Sequence, residues 1–172
     1  YRVGNAAAPV ALALADAGAT LLVADESQRQ WVEFRPAGAF PITLRPGAGE
    51  RSEVRGVDGL ASVGERVFVL DRSAAVVHVV RRDGTLQARL GEGELKQPTA
   101  IVADRFGRVF VLDAQDRAVK LLSAAQPTQV FDASLLQVQV IGAIAVDERW
   151  LAVADRLTGQ VVIHVVRPTL PP

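Results

Sequence analysis

Short apolar runs rich in valine and leucine recur along the chain, and polar turns containing Asp or Gly separate them. The runs are too short and too β-branched for helices, whose buried face needs apolar residues every three or four positions over a longer window. They read instead as short strands. Four of them, TLLVAD, RVFVLD, RVFVLD and WLAVAD, end at Asp25, Asp71, Asp113 and Asp155, spaced 46, 42 and 42 residues apart. A period in the low forties made of β-rich runs predicts an all-β repeat of four strands per unit, the blade of a β-propeller.

Each copy parses alike. A first strand follows a turn or a proline, at Pro9–Ala15, Gly56–Val63, Pro98–Ala103 and Ile141–Val146. A tight turn leads into the second strand, which closes on the repeating Asp. A third strand follows at Trp31–Phe34, Val76–Val80, Val119–Leu122 and Val161–Val166, and a weaker fourth at Phe40–Leu44, Leu86–Leu90 and Thr128–Phe131. The expected fold is a single propeller domain over 1–172, of four-stranded antiparallel blades at about 9–46, 54–91, 98–136 and 138–168. Inner strands are expected to bury both faces between neighbouring blades. Small residues near the axis (Ala11, Ala13, Ala15, Ala143, Ala145) and bulkier Phe68, Phe110 and Trp150 one strand further out fit that order.

The last copy stops after its third strand, and Tyr1-Arg2-Val3-Gly4 is similar to Ala88-Arg89-Leu90-Gly91 at the end of a fourth strand. Residues 1–4 are therefore a candidate strand for completing the last blade, which would remove a free sheet edge. The competing expectation is that they end a preceding blade outside the chain, within a larger ring.

Leu95 to Asp113 (LKQPTAIVADRFGRVFVLD) resembles the NHL-repeat family of propellers, with its proline, small-aliphatic strand, Asp-x-x-Gly turn, aromatic-aliphatic strand and Asp. Asp113 with Arg117, and Asp25 with Arg29, are similar to the acidic–basic pair that follows the second strand in that family. The resemblance covers nearly the whole chain, more loosely in the second copy. It implies a ring that usually closes with six blades, and a scaffold shared by enzymes, RNA binders and protein-binding platforms.

Composition narrows the function. Nineteen basic residues balance nineteen acidic ones and aromatics are 5%, which disfavours nucleic acid as a partner. Cysteine is absent, so disulfides, thiolate metal sites and thiol nucleophiles are excluded. The apolar segment 6–24 is broken by Pro9, Asp16 and Gly18 and falls within the repeat, so it is read neither as a signal peptide nor as a membrane span. The missing start methionine suggests a processed or longer protein, and an extracytoplasmic location (periplasmic or secreted, in a bacterial envelope) is the expectation.

No convergent chemistry stands out. Asp25, Asp71, Asp113 and Asp155, once per blade at one strand end, are expected to hold turns by accepting backbone hydrogen bonds, with Arg29 and Arg117 beside them. His78 and His164, the two histidines, lie on third strands and make a poor zinc set. The first strands lack the Glu, Asn and Asp of a calcium-dependent lactonase, and no Gly-x-Ser-x-Gly elbow is present. Neither a cofactor nor a metal is expected. Trp31 and Trp150 are expected to pack, and the Arg81-Arg82 pair, with Arg66, Arg89 and Arg108, is a weak anion-binding candidate. The loop PGAGERSEV at 46–54, with Gly47, Glu50, Arg51 and Glu53, is the candidate partner-contact region, since loops on a rigid scaffold carry binding. The expectation is a non-catalytic scaffold for a protein partner or larger assembly, itself able to oligomerise. The alternative is a lactonase- or lyase-type propeller enzyme whose active site lies in blades outside this chain.

Overall fold

A computed structural model describes residues 8–26, 30–44, 54–124 and 126–166. Fifteen strands run in chain order. They are β1 (Pro9–Ala15), β2 (Thr20–Asp25), β3 (Gln30–Arg35), β4 (Gly38–Thr43), β5 (Gly59–Val63), β6 (Arg66–Asp71), β7 (Val76–Arg81) and β8 (Leu86–Leu90). Then come β9 (Pro98–Ala103), β10 (Val109–Asp113), β11 (Ala118–Leu122), β12 (Gln129–Asp132), β13 (Ile141–Val146), β14 (Trp150–Asp155) and β15 (Val161–Val165). One 3₁₀ turn, Asp16–Gly18, joins β1 to β2. No helix among the described residues is long and apolar enough to cross a membrane.

The strands form four antiparallel meander sheets, the blades of a β-propeller, with orders β1-β2-β3-β4, β5-β6-β7-β8, β9-β10-β11-β12 and β13-β14-β15. Blades 1 and 2 belong to one compact unit, Tyr1–Leu95, and blades 3 and 4 to another, Lys96–Pro172. β1, β8, β9 and β13 fall at the bounds the apolar pattern predicts, while β5 starts later, at Gly59. The candidate closing strand, residues 1–4, lies outside the described residues.

In the first unit the alanine face of β1 packs with Leu22, Ala24 and Trp31 against Val57, Leu60, Val67, Val69, Val80 and Leu86 of blade 2. The blades approach so closely that a Cβ on Gly84 would stand 2.2 Å from the Thr43 carbonyl oxygen, and Gly84 also has φ +90°. Only glycine meets both demands. In the second unit Phe110 and Val119 of blade 3 pack on Leu151 and Val153 of blade 4, with Ile144, Val146 and Val162 against them.

The expectation that first strands bury both faces fails at β1 and β13. Val10, Leu12 and Leu14 stand on the other face of β1 and are 46%, 66% and 65% exposed. On blade 4 it is the opposite face, counted from the repeating Asp, that is bare: Trp150, Val161, Ile163 and Val165 are all exposed. A sheet face loses water only where other chain covers it, and among the described residues these faces of β1 and blade 4 are left bare. Blade 2 keeps the expected pattern at Gly59, Leu60 and Ala61, all buried.

Candidate functional site

The repeating aspartates are buried at equivalent places: Asp25 is 1% exposed, Asp71 and Asp113 are fully covered, and Asp155 is 4% exposed. The carboxylates of Asp71, Asp113 and Asp155 each join two pieces of backbone. Asp71 accepts from the incoming chain at Arg55 N (2.6 Å) and from the following turn at Ala74 N (2.9 Å) and Ser73 Oγ (2.8 Å). Asp113 accepts from Lys96 N (2.8 Å) and Gln97 N (3.1 Å). Asp155 accepts from Gln139 N (2.7 Å), Val140 N (3.3 Å) and Leu157 N (2.9 Å). The bond to the incoming linker, some sixteen residues upstream, has no signature in the local sequence.

A second layer went unnoticed in the sequence. Seven residues after its Asp, blade 2 places His78 and blade 3 places Lys120. His78 Nε2 lies 3.4 Å from Asp71 Oδ2, with both side chains buried. Lys120 Nζ lies 2.9 Å from Asp113 Oδ2 and also pairs with Asp116. Val32 and Val162 fill the same position in blades 1 and 4. The cation on Asp113 is thus Lys120 and not Arg117, which donates to the Gln139 carbonyl (3.2 Å) from a turn where its φ is +52°. Arg29 and the loop residues Gly47, Glu50, Arg51 and Glu53 lie outside the described residues.

These bonds set the acid response. The Gln139 amide, against an opposing effect of burial and with help from Leu157, Thr158 and Val140, lowers the Asp155 carboxyl to about 2. At Asp71 burial pushes the carboxyl up, but His78, the amides of Ala74 and Arg55 and the Ser73 hydroxyl outweigh it and hold it well below the usual range. Groups depressed in the folded state stabilise it above their unfolded pKa and stop doing so as pH falls through the folded value. The protein is therefore expected to hold its stability down to about pH 4 and to lose it progressively toward pH 2. Urea midpoints followed by the fluorescence of buried Trp31 check this, and a flat profile from pH 5 to 2 overturns it.

Blade 1 and blade 2 are also clamped by charge. Arg82 grips Glu33 through Nε–Oε1 (3.0 Å) and Nη2–Oε2 (2.9 Å), and reaches Asp16 with Nη1 (2.7 and 2.8 Å). Thr20 Oγ1 donates to Asp16 (2.7 Å), and Arg35 pairs with Glu33. The Glu33 side chain is wholly buried and that of Arg82 is 10% exposed. Arg82 therefore belongs to a blade-to-blade clamp, which removes it from the anion-binding surface suggested by its neighbours in sequence.

Between blades 3 and 4 a crevice of about 340 Å³ remains, lined by Phe110, Leu121, Phe131, Leu136, Leu151 and His164 among others. His164 Nε2 sits 3.0 Å from the Leu136 carbonyl. No group of three or more His, Asp or Glu side chains able to hold a metal ion occurs among the described residues. The described surface offers a charged hollow lined by Glu65, Arg66, Arg81, Arg82, Asp83 and Gln87, and apolar ground on the outer faces of β1 and blade 4 and in this crevice.

Solved structures with the same fold are numerous. Virginiamycin B lyase from Staphylococcus aureus superposes with a TM-score of 0.60 at 10% identity, over 96% of this chain and 58% of that one. A gluconolactonase from Xanthomonas campestris gives 0.65 at 16% identity, over 93% and 59%. YCF48 bound to the D1 peptide gives 0.65 at 11%, over 95% and 52%. The chain is a β-propeller, and it spans little more than half the length of these propellers. No protein-family model matches it, and no curated protein does.

Proposed function

We propose that this chain is a non-catalytic interaction module of the propeller class. The observation that supports it is the division of its chemistry. The buried charged groups described above are engaged in holding turns and blades together, whereas Leu12, Leu14, Trp150, Val161 and Ile163 stand exposed on sheet faces. Large exposed apolar patches mark interaction surfaces. YCF48, whose structure is of similar fold, is bound there to the D1 peptide. We place the module outside the cytoplasm, as part of a larger assembly; recovery of the native protein solely in the cytosolic fraction would end that assignment.

A second reading, a lactonase- or lyase-type enzyme, draws on the two enzymes among the superposed propellers and on the half-length match, which leaves room for an active site beyond this chain. Metal analysis of the native protein separates the two. The interaction reading expects no stoichiometric metal and a protein partner recovered on affinity purification. Stoichiometric calcium or zinc, with lactone or lyase turnover, favours the enzyme.

A further inference from the structure

Blade 2 carries two arginines side by side. Arg66, at the start of β6, stands directly opposite Arg81, at the end of β7. Residues paired in this way project from one face of the sheet with Cβ atoms about 5 Å apart, and like charges so placed repel. Both arginines are exposed, and they line a hollow of about 470 Å³ together with Glu65, Arg82, Asp83 and Gln87. Arg82 is already engaged with Glu33 and Asp16 of blade 1. Arg66 and Arg81 are the cations that remain for the hollow.

The repeat shows what such arginines receive elsewhere. Counted from the repeating Asp, Arg66 corresponds to Arg108 of blade 3, and Arg81 to Arg35 of blade 1. Arg108 meets Asp104 across its hairpin, and the carboxylate takes its Nε proton. Across from Arg66 the chain places Val63. Arg35 pairs with Glu33, two residues earlier on its strand. Two residues before Arg81 stands Val79, which is buried. Blade 2 thus keeps both arginines, sets them against each other and puts valine where each local carboxylate would be. Blade 4 has Trp150 opposite Val165 at the same two places, so the arrangement belongs to blade 2 and not to the repeat.

We propose that this hollow binds a phosphoryl group, held between the guanidiniums of Arg66 and Arg81. A planar guanidinium presents paired N–H donors that match two oxygens of such a group. A phosphate monoester carries about two negative charges at neutral pH, so one ligand satisfies both forks and relieves their repulsion. Gln87, in the same lining, adds an amide donor. Glu65 and Asp83 also line the hollow, and Asp83 Oδ1 accepts from Thr85 N (2.9 Å). Their carboxylates repel anions in general. A singly charged ion therefore gains little, and the site favours a dianion bonded to both arginines. The inference goes beyond the interaction reading, and neither depends on the other.

Inorganic phosphate and phenyl phosphate are titrated into the isotope-labelled native protein at constant ionic strength, and the arginine side-chain N–H resonances are followed by NMR. Saturable shifts of the Arg66 and Arg81 signals are expected with both ligands, and no saturation with benzoate. Tighter binding of phenyl phosphate marks the ligand as an ester, and equal binding as the free ion. Arg66→Gln and Arg81→Gln should each weaken binding by about tenfold, the loss of one charge-assisted pair. Val63→Asp, which gives Arg66 the carboxylate that Arg108 has, should weaken it as much, whereas Glu65→Gln should tighten it. The proposal is overturned by shifts that rise without saturation and match those in sodium chloride, or by phosphate binding that Arg66→Gln and Arg81→Gln leave unchanged. Should Val63→Asp disturb the blade, the two arginine variants, at exposed positions, still decide. If the native protein captures a protein partner but binds no phosphate, this site falls and the interaction reading stands.

Discussion

Replacing Asp113 with alanine is expected to lower the unfolding free energy by about 3–5 kcal/mol, the range for removing one partner of a buried ion pair. Sequence reasoning alone supports only about 1–2 kcal/mol, the loss of a turn-holding acceptor. The difference is Lys120, whose side chain is 3% exposed and sits 2.9 Å from the carboxylate. Without Asp113 the ammonium loses its fully buried carboxylate partner, and the amides of Lys96 and Gln97 lose their acceptor. Asp113→Asn should recover part of the loss, since an amide oxygen still accepts from the backbone. Urea denaturation measures both. A midpoint for Asp113→Ala within error of the parent protein would remove the aspartate from the structural framework.

Arg82→Val is the second large effect, expected at about 2–4 kcal/mol. It strips Glu33, fully buried, of its bidentate partner and leaves it, among the described residues, only Arg35. The repeat suggests the rescue. Glu33 and Arg82 lie eight and eleven residues after their aspartates, and the same positions in blades 3 and 4 hold Leu121 and Val166, both apolar. Glu33→Leu combined with Arg82→Val should therefore be more stable than Arg82→Val alone, because no charge is left buried without a partner. A double variant as unstable as the sum of the two singles would mean that Glu33 and Arg82 do not act as a pair.

The strands were legible because their information is local. A run such as RVFVLD, closed by an Asp and a polar turn, carries its own period, so β6 begins and ends where the pattern places it. The aspartates were legible for the same reason, as far as their own turns are concerned. Their partners were not. Arg55 N, Gln97 N and Gln139 N are backbone groups that any residue supplies, and Glu33 and Arg82 meet from 49 positions apart. Lys120 and His78 had one usable signal, a cationic or titratable residue seven places after the Asp in an otherwise apolar strand. It becomes visible only once the blades are aligned on the Asp. The exposed leucines of β1 were misread because alternation between alanine and leucine records two packed faces without recording whether a neighbour is there to cover each.

The meander order of the sheets also governs how the chain reaches its fold. Among the described residues every strand pairing, from β1 with β2 to β14 with β15, joins neighbours in sequence across a short turn. Closing short loops costs little entropy, so each blade nucleates from its own hairpins without waiting for distant chain. Blades can thus form in turn as the polypeptide leaves the ribosome, the first before the second is made. The Glu33–Arg82 clamp, whose two halves lie on successive blades, is then a late event: it locks docking between sheets that are already formed.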